Sequence, residues 1–118
     1  MVGFNIYSVK AKLGDRPEGV KDPEILDWCA EQEAVWLTTD IAAKRKHGQS
    51  AKQRRISAVW YHQPKQGWST RQQHWVITKF LERICRELAS GDAVHFSVGA
   101  GEKARLKVEW RTRRGHLL

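Results

Sequence analysis

The sequence predicts an α/β domain. Three observations carry that expectation: a capped helix set between short apolar runs, a long amphipathic helix in the second half, and two closing segments of alternating pattern joined by glycines. Phe4-Asn5-Ile6-Tyr7-Ser8-Val9 reads as a short first strand. A charged loop with glycine and proline, Lys10 to Lys21, follows it. Asp22-Pro23-Glu24 then marks a helix start, with an N-cap acid, a proline at the first helical position and an acid in the first turn. Ile25, Leu26, Cys29 and Ala30 give that helix its apolar face, and it should end near Glu33. Val35-Trp36-Leu37 is apolar without alternation, as a strand covered on both faces must be, so strand, helix and strand make a βαβ unit.

Beyond Asp40 a short helix gives way to Lys44–Arg55, a basic segment that reads as largely loop because Gly48-Gln49-Ser50 interrupts it. Ala58-Val59-Trp60-Tyr61 is a second buried strand, closed by a loop holding Pro64 and Gly67. Ser69-Thr70-Arg71-Gln72 has the capping-box pattern and opens the longest helix, in which Ile77, Phe80, Leu81, Ile84, Cys85 and Leu88 keep helical spacing until Gly91. Val94 to Val98 and Leu106 to Trp110 alternate apolar with polar and should form an antiparallel hairpin at the sheet edge, turning at Gly99-Ala100-Gly101. The expected sheet is mainly parallel, and the hairpin closes it at the C-terminal side.

At 118 residues, one domain spanning 1–118 with a single core is expected, without metal or disulfide staples. Twenty-one Lys and Arg against thirteen Asp and Glu leave a formal charge of +8. That excess favours a polyanion, nucleic acid first, over a neutral small molecule. Cys29 and Cys85 sit at apolar helical positions without metal-ligand spacing, so they read as small core residues in a reducing compartment, with no disulfide expected. No apolar run approaches about 18 residues and no basic-then-apolar leader is present. Neither a membrane span nor a signal peptide is expected, and the expected location is cytoplasmic.

Helix and strand rises bring certain acids together. The helix from Asp22 to Glu33 is about 18 Å long and the return to Asp40 covers about 17 Å in the opposite sense. Asp22 and Asp40 should therefore share the carboxyl edge of the sheet, where open α/β sheets bind ligands, with Asp15 and Glu24 beside them. Converging carboxylates repel unless a cation lies between them, and hard ions such as Mg²⁺ or Mn²⁺ take oxygen ligands. Acids holding an ion, ringed by cations that hold a polyanion, suit metal-assisted phosphodiester cleavage. Each of Asp22 and Asp40 also precedes a helix, however, and serves equally as an N-cap with no chemistry implied.

The segments Gly3-Phe4-Asn5-Ile6-Tyr7-Ser8-Val9, Asp22-Pro23-Glu24-Ile25-Leu26-Asp27-Trp28-Cys29-Ala30 and Val35-Trp36-Leu37-Thr38-Thr39-Asp40 resemble the PIN-like nuclease family, in which a helix opening Asp-x-Glu precedes a strand ending Thr-x-Asp. The resemblance implies a three-layer PIN-like domain and an Mg²⁺- or Mn²⁺-dependent ribonuclease of the VapC-like toxin kind, restrained by a small antitoxin. Asp22 and Asp40 match the family's catalytic, metal-binding acids and Thr38 its motif threonine; Glu24 supports them and Asp15 is a further candidate ligand. The family's usual first strand with its terminal Asp has no counterpart ahead of Gly3. An upstream start, a strand supplied by another chain, or a degenerate member that binds without turnover would each explain this. An unpaired strand edge also favours a homodimer or a tight partner.

Lys44, Arg45, Lys46, Lys52, Arg54 and Arg55 form the expected RNA cradle, with a solvated loop as the plain alternative. Trp68 is a candidate for stacking a splayed base, while Trp36, Trp60 and Trp110 read as core. The histidines show neither metal spacing nor a nucleophile partner.

Overall fold

Ser8 starts the first described helix. Its Oγ accepts the Ala11 amide at 3.0 Å and its carbonyl the Lys12 amide at 3.2 Å, so Val9–Leu13 is a short helix, α1. The computed structural model describes residues 7–14, 19–99 and 105–112. The strand expected over Phe4–Val9 is thus corrected at its described end, because Tyr7 and Ser8 carry no strand and Val9 is helical. A serine able to cap nearby amides offers the backbone a local alternative to sheet pairing, and here it prevails. Residues 4–6 of that expected strand lie outside the described residues. The loop expected from Lys10 onward is helical as far as Leu13.

Asp22–Gln32 forms α2, with Pro23 in its first turn and Ile25, Leu26 and Cys29 buried. The N-cap is Lys21 rather than the expected Asp22, and no side chain caps the helix. Glu33 ends it in the left-handed region at φ 52°, where the Ala34 amide donates to the Cys29 carbonyl at 2.9 Å. This reversal aims the chain into β1, Trp36–Thr38.

Ile41–Gln53 is a continuous helix, α3, where a glycine-broken loop was expected. Asp40 caps it by accepting the Ala43 amide at 3.2 Å. Ala43, Gly48 and Ala51 are its buried residues. The small size of Ala43 and Ala51 lets the helix lie close over Trp36, Ala58 and Trp60, with which they share one apolar cluster. Burial against the sheet offsets the helix-breaking tendency of Gly48, about 1 kcal/mol relative to alanine. The end repeats that of α2: Arg55 is left-handed at φ 58°, and Ile56 N donates to Ala51 O at 2.9 Å.

Ala58–Tyr61 is β2 and Thr70–Leu88 is α4. Both halves of the expected capping box are present, Gln72 N to Ser69 Oγ at 3.2 Å and Ser69 N to Gln72 Oε1 at 2.8 Å. Val94–Val98 is β3 and Leu106–Arg111 is β4. They pair antiparallel as the expected hairpin, whose turn residues 100–104 lie outside the described residues.

The four-stranded sheet is mixed. Its order is β1-β2-β3-β4, parallel across the first two pairings and antiparallel across the third. Two apolar clusters lie on its opposite faces. One joins Val76, Phe80 and Ile84 of α4 to Val59, Tyr61, Phe96 and Val98; the other joins α2 and α3 to Trp36, Ala58 and Trp60. The path from β1 to β2 therefore crosses one face through α3, and that from β2 to β3 crosses the other through α4. Both steps move the same way along the sheet, so the two crossovers have opposite hands, an uncommon arrangement for parallel strands.

Between the pairs Phe96–Val108 and His95–Trp110 the register shifts, leaving Glu109 as an extra residue on β4. Such a bulge re-aims side chains at a sheet edge. No described helix is long and apolar enough to cross a membrane.

Candidate functional site

Chains that leave neighbouring strands toward opposite faces part from one another at the carboxyl ends, the edge at which open α/β sheets bind ligands. Here β1 leads through Thr38, Thr39 and Asp40 to α3, while β2 leads through His62 and Gln63 toward α4 on the other face. Those two turns border the carboxyl edge of the sheet.

Asp40 stands on one border. Its amide donates to Thr38 Oγ1 at 3.1 Å while its Oδ1 accepts from Ala43 N, so the threonine and the first turn of α3 fix it between them. The N-cap role foreseen for Asp40 is thus filled, and its carboxylate remains exposed. Asp22 differs. It does not cap α2, and its Oδ2 lies 3.5 Å from His47 Nε2 on α3. Asp27 pairs with Arg54 at 2.9 Å. The two contacts step the same way along both helices, so α2 and α3 run side by side with their N-termini toward the carboxyl edge of the sheet. Seven residues, about 10 Å of helix axis, separate Asp40 from His47. Asp22 is therefore held against the body of α3 rather than at its cap. Glu24 is half-buried in the first turn of α2, and Asp15 lies outside the described residues.

An octahedral Mg²⁺ or Mn²⁺ site requires several oxygens within about 2 Å of the ion. Among the described residues no group of three or more His, Cys, Asp or Glu side chains could hold a metal. Those residues do not complete an ion site.

A polar cluster missed in the sequence lies beside α3. Lys44 Nζ is 2.6 Å from Glu109 Oε2, which brings α3 to the bulge of β4. Burial pushes the Glu109 carboxyl up, but the Lys44 ammonium, the Ser97 hydroxyl and the field of His62 outweigh it and hold it below the ordinary glutamate value. Lys44 alone was visible as a candidate, because the pairing depends on a bulge that no local pattern announces.

Beneath this cluster an aromatic row crosses the sheet. Trp36 meets Trp60 at 5.2 Å between ring centres, Trp60 meets His95 at 5.9 Å, and His95 meets Trp110 at 5.1 Å. His95 is buried with Nε2 2.9 Å from the Ile56 carbonyl and Nδ1 3.3 Å from Trp60 Nε1. The indole can only donate, so Nδ1 accepts, Nε2 carries the proton, and the ring is neutral. Burial lowers its pKa further than the bond to Ile56 raises it.

The six cations expected to cradle RNA separate into two sets. Lys44 and Arg54 are ion-paired, and Lys52 Nζ sits 5.7 Å from the centre of the Trp110 ring. Arg45, Lys46 and Arg55 are exposed and have no ion pair among the described residues. Arg45 and Lys46 share the outward face of α3 with Gln49 and Gln53. Trp68 is half-buried, packed on the α4-side core and set edge-on to Tyr61 at 6.4 Å, which corrects its reading as an exposed stacking residue. Trp75 is the exposed one, at 52%. Its position outside the apolar spacing of the long helix was the available signal.

Compared with family models, curated proteins and solved structures, the chain matches none.

Proposed function

We propose that this chain is an RNA-binding α/β module that presents the outward face of α3 to phosphates beside the carboxyl edge of the sheet. The observation that carries the reading is the exposure of Arg45 and Lys46, without acid partners among the described residues, on a protein of net charge +8. Phosphate contacts of this kind supply sequence-independent affinity. Lys44, by contrast, acts as a strut between α3 and β4.

A second reading, metal-dependent RNA hydrolysis by a PIN-like toxin with an antitoxin partner, is favoured by one observation. Asp40, matched to the family's Thr-x-Asp acid, is held at the carboxyl edge by Thr38 with its carboxylate exposed. In this reading Asp40 would hold the Mg²⁺ or Mn²⁺ that activates water, and Asp22, set against the body of α3, would not share that ion.

Incubation of the purified chain with labelled RNA, Mg²⁺ or Mn²⁺, then chelator, separates the readings. Binding without cleavage supports the module. Cleavage abolished both by chelator and by Asp40→Asn supports the nuclease, since asparagine keeps the cap. Absence of binding removes both.

A further inference from the structure

The ridge Arg71, Trp75, Lys79 and Arg83 recurs at four-residue intervals along α4, so these side chains follow one another along the helix surface. All four are exposed. Trp75 belongs to neither apolar cluster, and Lys79 Nζ lies 4.7 Å from the centre of its ring. Arg71 and Arg83 have no ion pair among the described residues. The acids of α4 are engaged elsewhere: Glu82 lies 3.5 Å from Arg86, and Glu87 is bonded to Arg111. Positive charge along the ridge is left unbalanced around an aromatic face open to solvent.

The fold relates this ridge to α3. Both helices begin at the carboxyl ends of the parallel strands, on opposite faces. Arg45 and Lys46 occupy the opening turns of α3, as Arg71 and Trp75 do those of α4. A flexible polyanion passing over the carboxyl edge of the sheet, from one face to the other, can meet both. A rigid duplex has its bases stacked internally and cannot offer one to an indole; a single strand can, and base-on-aromatic stacking tolerates any sequence.

Resting on the RNA-binding reading, we propose that single-stranded RNA passes over the carboxyl edge of the sheet from α3 onto α4, where Trp75 stacks a base and Arg71, Lys79 and Arg83 hold the adjoining phosphates. The base takes the ring face opposite Lys79 or displaces that ammonium, whose contact with the indole is an exposed cation–π pair and weak.

Fluorescence anisotropy with a labelled single-stranded oligoribonucleotide, and with the duplex of the same sequence, tests this. Trp75→Ala should weaken single-strand binding about tenfold and leave duplex binding unchanged, while Trp75→Phe should keep most of the affinity. The Arg45→Gln, Lys46→Gln double variant should weaken both ligands. Circular dichroism melting establishes that each variant is folded. If Trp75→Ala binds the single strand as well as the unmodified chain while the α3 variant is weakened, the α4 path is wrong and the RNA-binding reading stands. Equal weakening of single strand and duplex by Trp75→Ala also overturns the stacking role. If the unmodified chain binds no RNA, both fall together.

Discussion

His95 shows how one buried side chain ties stability to pH. In the unfolded chain its imidazole takes a proton near pH 6.5, whereas burial lowers that value in the folded state. Lys52 and Lys44 push it further down and Glu109 pulls it up. Between the two values the unfolded chain binds more protons, so the stabilisation is fully present above about pH 6.5 and is lost as pH falls toward the folded value. The slope from this group is at most about 1.4 kcal/mol per pH unit. Urea midpoints at about pH 7.5 and about pH 5.5 should therefore differ more for the unmodified protein than for His95→Gln; equal differences would rule the coupling out. Tyr61 offers a second check. Its hydroxyl is buried with no hydrogen-bond partner among the described residues. Tyr61→Phe should thus be neutral or stabilising by up to about 1 kcal/mol, and a loss larger than that in the same titration would mean that the hydroxyl has a partner.

At the level of elements, α3 and α4 differ in how much of each the sequence reveals. The capping box of α4 and its apolar spacing are local features, readable from Ser69, Gln72 and the positions after Ile77. The continuity of α3 comes from burial of Ala43 and Ala51 against a sheet whose strands are remote in sequence, so its glycine reads as a break. A methyl group added at Gly48 would meet only Lys44 Cγ, at 4.0 Å. Gly48→Ala should accordingly stabilise the protein by about 1 kcal/mol in chemical denaturation, through helix propensity alone. Destabilisation would mean that the helix packs more tightly there than this geometry allows. The first helix was misread for a local reason: the Ser8 hydroxyl accepts the Ala11 amide, so Val9, which reads as the end of a strand, instead opens α1.

The whole molecule combines crossovers of opposite hand with a surface rich in cations. Arithmetic on helix and strand rises sufficed to send the acids toward the carboxyl edge, and Asp40 is there. It did not resolve the offset of Asp22, which follows from how far α2 slides along α3 to reach His47. Nor did it reach Glu109, which depends on a bulge in the last strand. Charge was readable by counting, but which cations remain available required the partners Glu109 and Asp27. For Lys44→Gln the expected outcome is therefore lower stability from loss of the contact to Glu109, with little change in the salt dependence of RNA binding. The measurement that decides the RNA-binding proposal is the slope of log affinity for a single-stranded oligoribonucleotide against log salt concentration. Neutralising Arg45 and Lys46 together should flatten that slope by about 1.4, at about 0.7 for each lost phosphate contact. An identical slope in the double variant and the unmodified chain would contradict it.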